Sequence, residues 1–137
     1  MDLRTKEEIL AMWKKNSEFN TEDGVSYFSI FTEILEKLEK LGGKVGSAFW
    51  YNSESRKNTD SKIAMFIRTV ISYTEEKDRE YLWRGDGPEE EVRAYFLNRD
   101  HQYLVIDTSI PGMSDITVIF LDPPTVYTVA DNLKKLR

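Results

Sequence analysis

Few side chains in this chain of 137 residues are equipped for chemistry, and those few stand apart from one another. His101, in "NRDHQY", is the single histidine and the one residue whose ordinary pKa lies near neutrality. A general base of that kind needs a carboxylate to orient it and a pocket to work in. Asp100 is adjacent, but neighbours along a strand point to opposite faces, and Asp107 or Asp115 must be brought in by the fold. The expectation is a turn histidine, with no catalytic residue. The sequence has no cysteine, which excludes disulfides, thiolate nucleophiles and thiolate metal sites, and a lone imidazole does not make a common zinc site. Neither a metal nor a cofactor is expected.

Three motifs invite a chemical reading and lose it on inspection. Asp60, Glu75 and Lys77 spell the D…E-x-K pattern of a metal-dependent nuclease. In an extended strand the fifteen residues from Asp60 to Glu75 span about 50 Å, too far to share an ion. "GGKVG" at Gly42 lacks the spacing of a phosphate loop and follows a helical pattern, so it reads as a helix stop. Arg84-Gly85-Asp86 spells an adhesion tripeptide, and without a disulfide framework or an apolar leader it reads as a turn. The N-terminal "MDLRTKEEIL" is charged where a signal peptide is apolar, and the apolar runs are too short to cross a bilayer, so a cytoplasmic location without membrane contact is expected.

Binding is the stronger theme. Between Glu75 and Glu91 eight acids face three bases, which accounts for the whole net charge of −5. An acidic segment disfavours a phosphate backbone and favours a basic protein partner, the competing reading being a solvated turn. The aromatic run "AFWY" could stack bases, with Arg56, Lys57 and Lys62 nearby, but no cation is interleaved with the rings, so nucleic acid is not expected. The candidate partner-binding residues are therefore Trp50, Trp83, Arg84, Asp86, Glu89, Glu90 and Glu91. A second candidate set, Trp50, Phe66, Arg68, His101 and Tyr103, would line a small-molecule pocket between sheet and helices. Arg68, within an apolar run, either reaches out to solvent or pairs with an anion.

The elements that must position these residues follow from periodicity. Thr5 and Glu8 form a capping-box pattern ahead of Ile9, Leu10 and Trp13, which predicts a helix from about Lys6 to Lys15. Tyr27, Phe28, Phe31, Ile34, Leu35, Leu38 and Leu41 recur at helical spacing and predict a second helix. "KVGSAFWYN" and "SKIAMFIRTVISYT" read as an antiparallel hairpin, and "REYLWRG" as a third strand. For residues 88–98 the apolar pattern fits helix or strand. Asp86, Pro88 and Glu89 to Glu91 resemble a helix start, which predicts a short helix; the extended alternative adds a sixth strand. "YLVIDT" and "DITVIFL" predict two more strands, and Val126, Val129, Ala130, Leu133 and Leu136 a C-terminal helix.

The sum is one α+β domain over 1–137, a mainly antiparallel five- or six-stranded sheet with two N-terminal helices and a C-terminal helix packed on it. Its strands are apolar on both faces: Phe49 and Tyr51 oppose Trp50, and Ile116, Val118 and Phe120 oppose Ile119 and Leu121. The second and last helices are expected to cover one face. The first helix and the short one cover the other incompletely, leaving room for a second copy or another protein, unless the four helices enclose the sheet. The functional expectation is a non-enzymatic protein-binding module of chaperone, adaptor, inhibitor or immunity type, acting through sheet surface and acidic segment as a homodimer. The alternative is a small-molecule binder or enzyme.

Overall fold

The computed structural model describes residues 3–15, 26–51, 65–66, 71, 75–85, 92–97, 100–110 and 113–136. Helix α1, Lys6–Lys15, begins at the predicted capping box. The Glu8 amide donates to the Thr5 hydroxyl and the Thr5 amide to the Glu8 carboxylate, both at 3.1 Å, satisfying two donors that a helix start leaves open. Helix α2, Tyr27–Lys40, buries Ile30, Ile34 and Leu38 and exposes Glu33, Glu36, Lys37 and Lys40. It ends as "LGG" predicts. Gly42 takes φ 87, its amide donates to the Glu39 carbonyl at 2.9 Å, and the Gly43 amide reaches back to the Leu38 carbonyl at 3.0 Å. Helix α3, Pro123–Lys135, packs on this turn: Asn132 Nδ2 donates to the Leu41 carbonyl at 2.8 Å. A Cβ on Gly42 would lie 2.5 Å from the Thr128 methyl, so glycine is needed for the approach as well as for the turn.

Five strands form one antiparallel sheet: β1 Val45–Tyr51, β2 Arg79–Arg84, β3 Val92–Leu97, β4 Asp100–Ile110 and β5 Met113–Leu121. The spatial order is β1-β5-β4-β3-β2, so β2 to β5 run as a meander and β1 closes onto β5. The α+β class and the antiparallel five-stranded sheet agree with the reading from sequence.

Two element predictions are corrected. Residues Met65 and Phe66 are α-helical and Ile71 lies in a π-turn, so "SKIAMFIRTVISYT" is not the strand predicted across these positions, and β1 pairs with β5 instead of with it. The helix predicted over 88–98 is overturned at 92–97, which form strand β3; the rest of that stretch lies outside the described residues. The strand wins because β3 is flanked on both sides. It pairs with β2 and β4, and a helix there would take away the ladder that holds β2 in the sheet and leave β4 paired on one side only. Five strands result because one strand was lost and another gained.

The sheet is apolar on both faces, as predicted. One face carries Ala48, Leu82, Ala94, Phe96, Leu104, Ile106 and Ile119 against residues of all three helices, among them Ile9, Trp13, Ile34, Leu38, Val129 and Leu133. Helix α1 was expected on the opposite side. Trp13 instead packs tilted against Phe31 of α2 with centroids 4.6 Å apart, which keeps both helices in one layer. The far face carries Phe49, Tyr51, Tyr95, Leu97, Val105 and Val118, with Phe66 and Ile71 packed on it. Two residues of the apolar run misread as a strand thus help to cover the far face.

Candidate partner-binding groove at the β2 edge

With both faces occupied, the sheet edges become the places to look for recognition. At the β1 edge Arg4 forms a bridge to Ala48 through two backbone bonds of 2.7 and 2.8 Å. Strand β2 ends the sheet on the other side and, among the described residues, pairs only with β3. Its ladder is interrupted by a bulge between Tyr81 and Trp83, which raises local twist and re-aims side chains.

Alongside β2 runs a groove of about 560 Å³. Its walls are Glu33, Glu36, Lys37 and Lys40 of α2, and Tyr81, Leu82, Trp83 and Arg84 of β2. The helix supplies residues at 33, 36, 37 and 40 because that spacing repeats along one face of a 3.6-residue helix, opposite its buried stripe. Trp83 is half-buried and packs its inner side on the helix-covered core, whereas Leu82 is buried there. Arg84 lies over the Tyr81 ring at 4.9 Å and pairs with Glu76 at 3.1 Å. Glu76 belongs to the short 3-10 turn Glu76–Asp78 that leads into β2, and it also accepts from the Tyr81 hydroxyl at 3.4 Å.

Of the predicted partner residues, the groove unites Trp83 and Arg84. Trp50 lies on β1 and packs against the helix-side core, four strand spacings away, or about 19 Å. Asp86, Glu89, Glu90 and Glu91 lie outside the described residues, as does Arg68. The predicted pocket residues are also dispersed. Phe66 meets Tyr103 edge-on at 5.3 Å on the far face, whereas Trp50 belongs to the helix side.

His101 has found a partner that none of the sequence candidates named: Glu80 of β2, with Nε2 and Oε1 2.6 Å apart. Both side chains are largely enclosed, 11% and 15% exposed, and the imidazole rests edge-on against Phe96 at 5.0 Å. It is a half-buried packing residue, not the surface turn histidine expected. Asp100 instead accepts from the Gln102 amide at 3.1 Å. Burial pushes the imidazole below its ordinary value; Asp100 draws it upward and Lys134 pushes it further down. A neutral imidazole can still donate its one N–H to Glu80, so the contact does not require the charged form.

The groove residues that sequence reasoning missed are Tyr81, Leu82 and the four α2 charges. Their one signal was a charged stripe at helical spacing, which is indistinguishable from any solvated helix face. Among the described residues there is no cluster of acidic or histidine side chains suited to a metal, and no helix long and apolar enough to cross a membrane. No protein-family model, curated protein or solved structure matches the chain.

Proposed function

We propose that this chain is a protein-binding module that receives an extended segment of a partner along β2. The observation that carries the reading is a strand edge with no ladder partner among the described residues, beside a groove lined by Trp83 and Arg84. An added strand would hydrogen-bond the outward-facing backbone groups of β2, and pockets for alternate side chains would give selectivity. Trp83 provides the large half-buried aromatic that such contacts use as an anchor, and Arg84 a planar donor. Exposed Glu75 and Glu76 at the entrance to β2 favour a partner segment with basic residues near one end.

The far sheet face gives this reading less support than the sequence suggested. Phe49, Tyr51, Tyr95, Leu97, Val105 and Val118 are already buried, and the exposed large apolar side chains among the described residues, Leu3, Met65, Tyr127 and Leu136, lie off the strands. Recognition therefore shifts from sheet surface to sheet edge. A second copy of the chain also suits an open edge, because two β2 strands can pair antiparallel about a two-fold axis. The small-molecule alternative, placed between sheet and helices, is disfavoured by the apolar side chains that fill that layer.

Selection from a displayed library of extended peptides tests the proposal. Binders with basic positions are expected, weakened at least tenfold by Trp83→Ala and less by Arg84→Ala. Peptides that bind Trp83→Ala as well as the parent, or no binders at all, would refute it. Sedimentation distinguishes the second copy: a dimer dispersed by a charge at Trp83 would make the chain its own partner.

A further inference from the structure

The far face of the sheet, away from the groove's helix wall, contains a polar island that the packing does not explain. Two cross-strand rows define it. In one, Tyr81 faces Tyr95, their rings meeting edge-on at 5.7 Å; in the next, Arg84 faces Arg93, which faces Asp107. Arg79 flanks the tyrosine row from the other side, with its guanidinium 4.5 Å from the Tyr95 ring centre. Two arginines directly opposite on neighbouring strands repel, and the surroundings offset this only in part. Arg84 is paired with Glu76 at 3.1 Å. Arg93 approaches Asp107 no closer than 3.9 Å, beyond hydrogen-bond reach. Arg79 acts on Asp107 only at longer range, with no ion pair within 4 Å among the described residues.

Three buried donors in this island are without an acceptor among the described residues: Arg79 Nε, Arg93 Nε and the hydroxyl of Tyr95, a residue with no exposed surface. Buried polar groups in folded proteins are nearly always satisfied, so three together call for an acceptor that the described residues do not supply. The three donor atoms are enclosed, but the island borders solvent, since Arg93 and Asp107 keep 29% and 19% of their side chains exposed. Arg79 and Arg93 against Asp107 leave one uncompensated positive charge, which a single carboxylate would neutralise. Guanidinium forks match a carboxylate's two oxygens, and the tyrosine rings offer an apolar wall for what is attached to it.

We propose that Arg79, Arg93 and Tyr95 form a binding site for a small monocarboxylate. The polarity of the island agrees with this. Burial, with Asp107 nearby, pushes the Tyr95 hydroxyl up to about 12, so it stays a proton donor. Burial likewise raises Asp107 above the usual carboxylate range, against the pull of Arg93 and Arg79, so Asp107 fills the site poorly. Arg79, Arg93 and Tyr95 line none of the β2 edge groove, which the site adjoins through Tyr81 and Arg84, and the site does not depend on the function proposed for that groove.

Nitrogen-15 NMR of the arginine Nε–H groups tests the site, with benzoate as probe and inorganic phosphate as control. Benzoate is expected to shift the Arg79 and Arg93 signals saturably. Arg79→Gln should weaken it at least tenfold, and Tyr95→Phe, which keeps the ring, about threefold. Arg79→Lys provides a second variant that retains the charge but loses the fork, and amide spectra report whether each variant is folded. Shifts caused by phosphate in preference to benzoate would contradict the carboxylate assignment. The absence of any saturable shift would leave water as the acceptor and overturn the site altogether.

Discussion

At the β1 edge the chain uses its own N-terminal segment to close the sheet, through the paired amide and carbonyl of Arg4 on Ala48. At the β2 edge, four strands away, the described residues leave the ladder open, and a helix wall and a half-buried tryptophan stand beside it. An unpaired edge invites unwanted association, and folded proteins blunt it with charge, brevity and bulges. Strand β2 has all three: it is six residues long, is bulged at Tyr81/Trp83 and ends in Arg84. It is protected against indiscriminate pairing while its groove remains accessible. Among the described residues, then, one edge is closed by a backbone bridge and the other carries no ladder partner, and the difference rests on a few named contacts.

Each contact offers a way to break the comparison. The largest effect is expected from Ala48→Pro, which removes the amide that donates to Arg4 and forces a ring into a fully buried position. Loss of about 3 kcal/mol or more is expected, read by urea or thermal unfolding, together with association through the newly exposed β1 edge. An unchanged midpoint would mean that the bridge does not close that edge. Trp83→Ala should reverse the pattern: partner binding falls by about 2 kcal/mol or more, with a smaller loss of stability because the ring is only partly in the core. Equal losses in both would place Trp83 with the core instead of the groove.

The smallest effect concerns the pin that holds β2 in place. Glu80 on β2 reaches His101 at the start of β4, spanning β3 between them. Because burial lowers the His101 pKa, the folded state binds this proton less readily than the unfolded chain does. Its contribution to stability is therefore present above about pH 6.5 and is lost as pH falls from there through the lower folded value. His101→Gln, which keeps a donor for Glu80, should flatten that part of the stability profile. An unaltered slope in the variant would assign the acid sensitivity to other groups.

Much of the fold was legible because its signals are local. The Thr5/Glu8 box, the apolar stripe of α2 and the glycine stop after Leu41 each act within a few residues, and each appears where the spacing put it. Misreadings came where a segment is buried on two sides. In β3, Val92, Ala94 and Phe96 enter one core and Tyr95 and Leu97 the other, which erases the polar alternation that marks a strand. Phe66 and Ile71 were misassigned for the converse reason, since side chains that cover a sheet face come from segments with the same β-branched and aromatic content as a strand. The candidate site was half legible. Trp83 and Arg84 stand out by type, but their helix wall and the Glu80–His101 pair depend on contacts between residues far apart in sequence.

Residue-resolved amide hydrogen exchange on the free protein bears most directly on the difference between the edges. The Ala48 amide, bonded to Arg4, should exchange slowly, whereas β2 amides that do not point toward β3 should exchange orders of magnitude faster and become protected when a selected peptide is added. If those β2 amides are as slow as Ala48 in the free protein, the edge is already covered and the binding account fails.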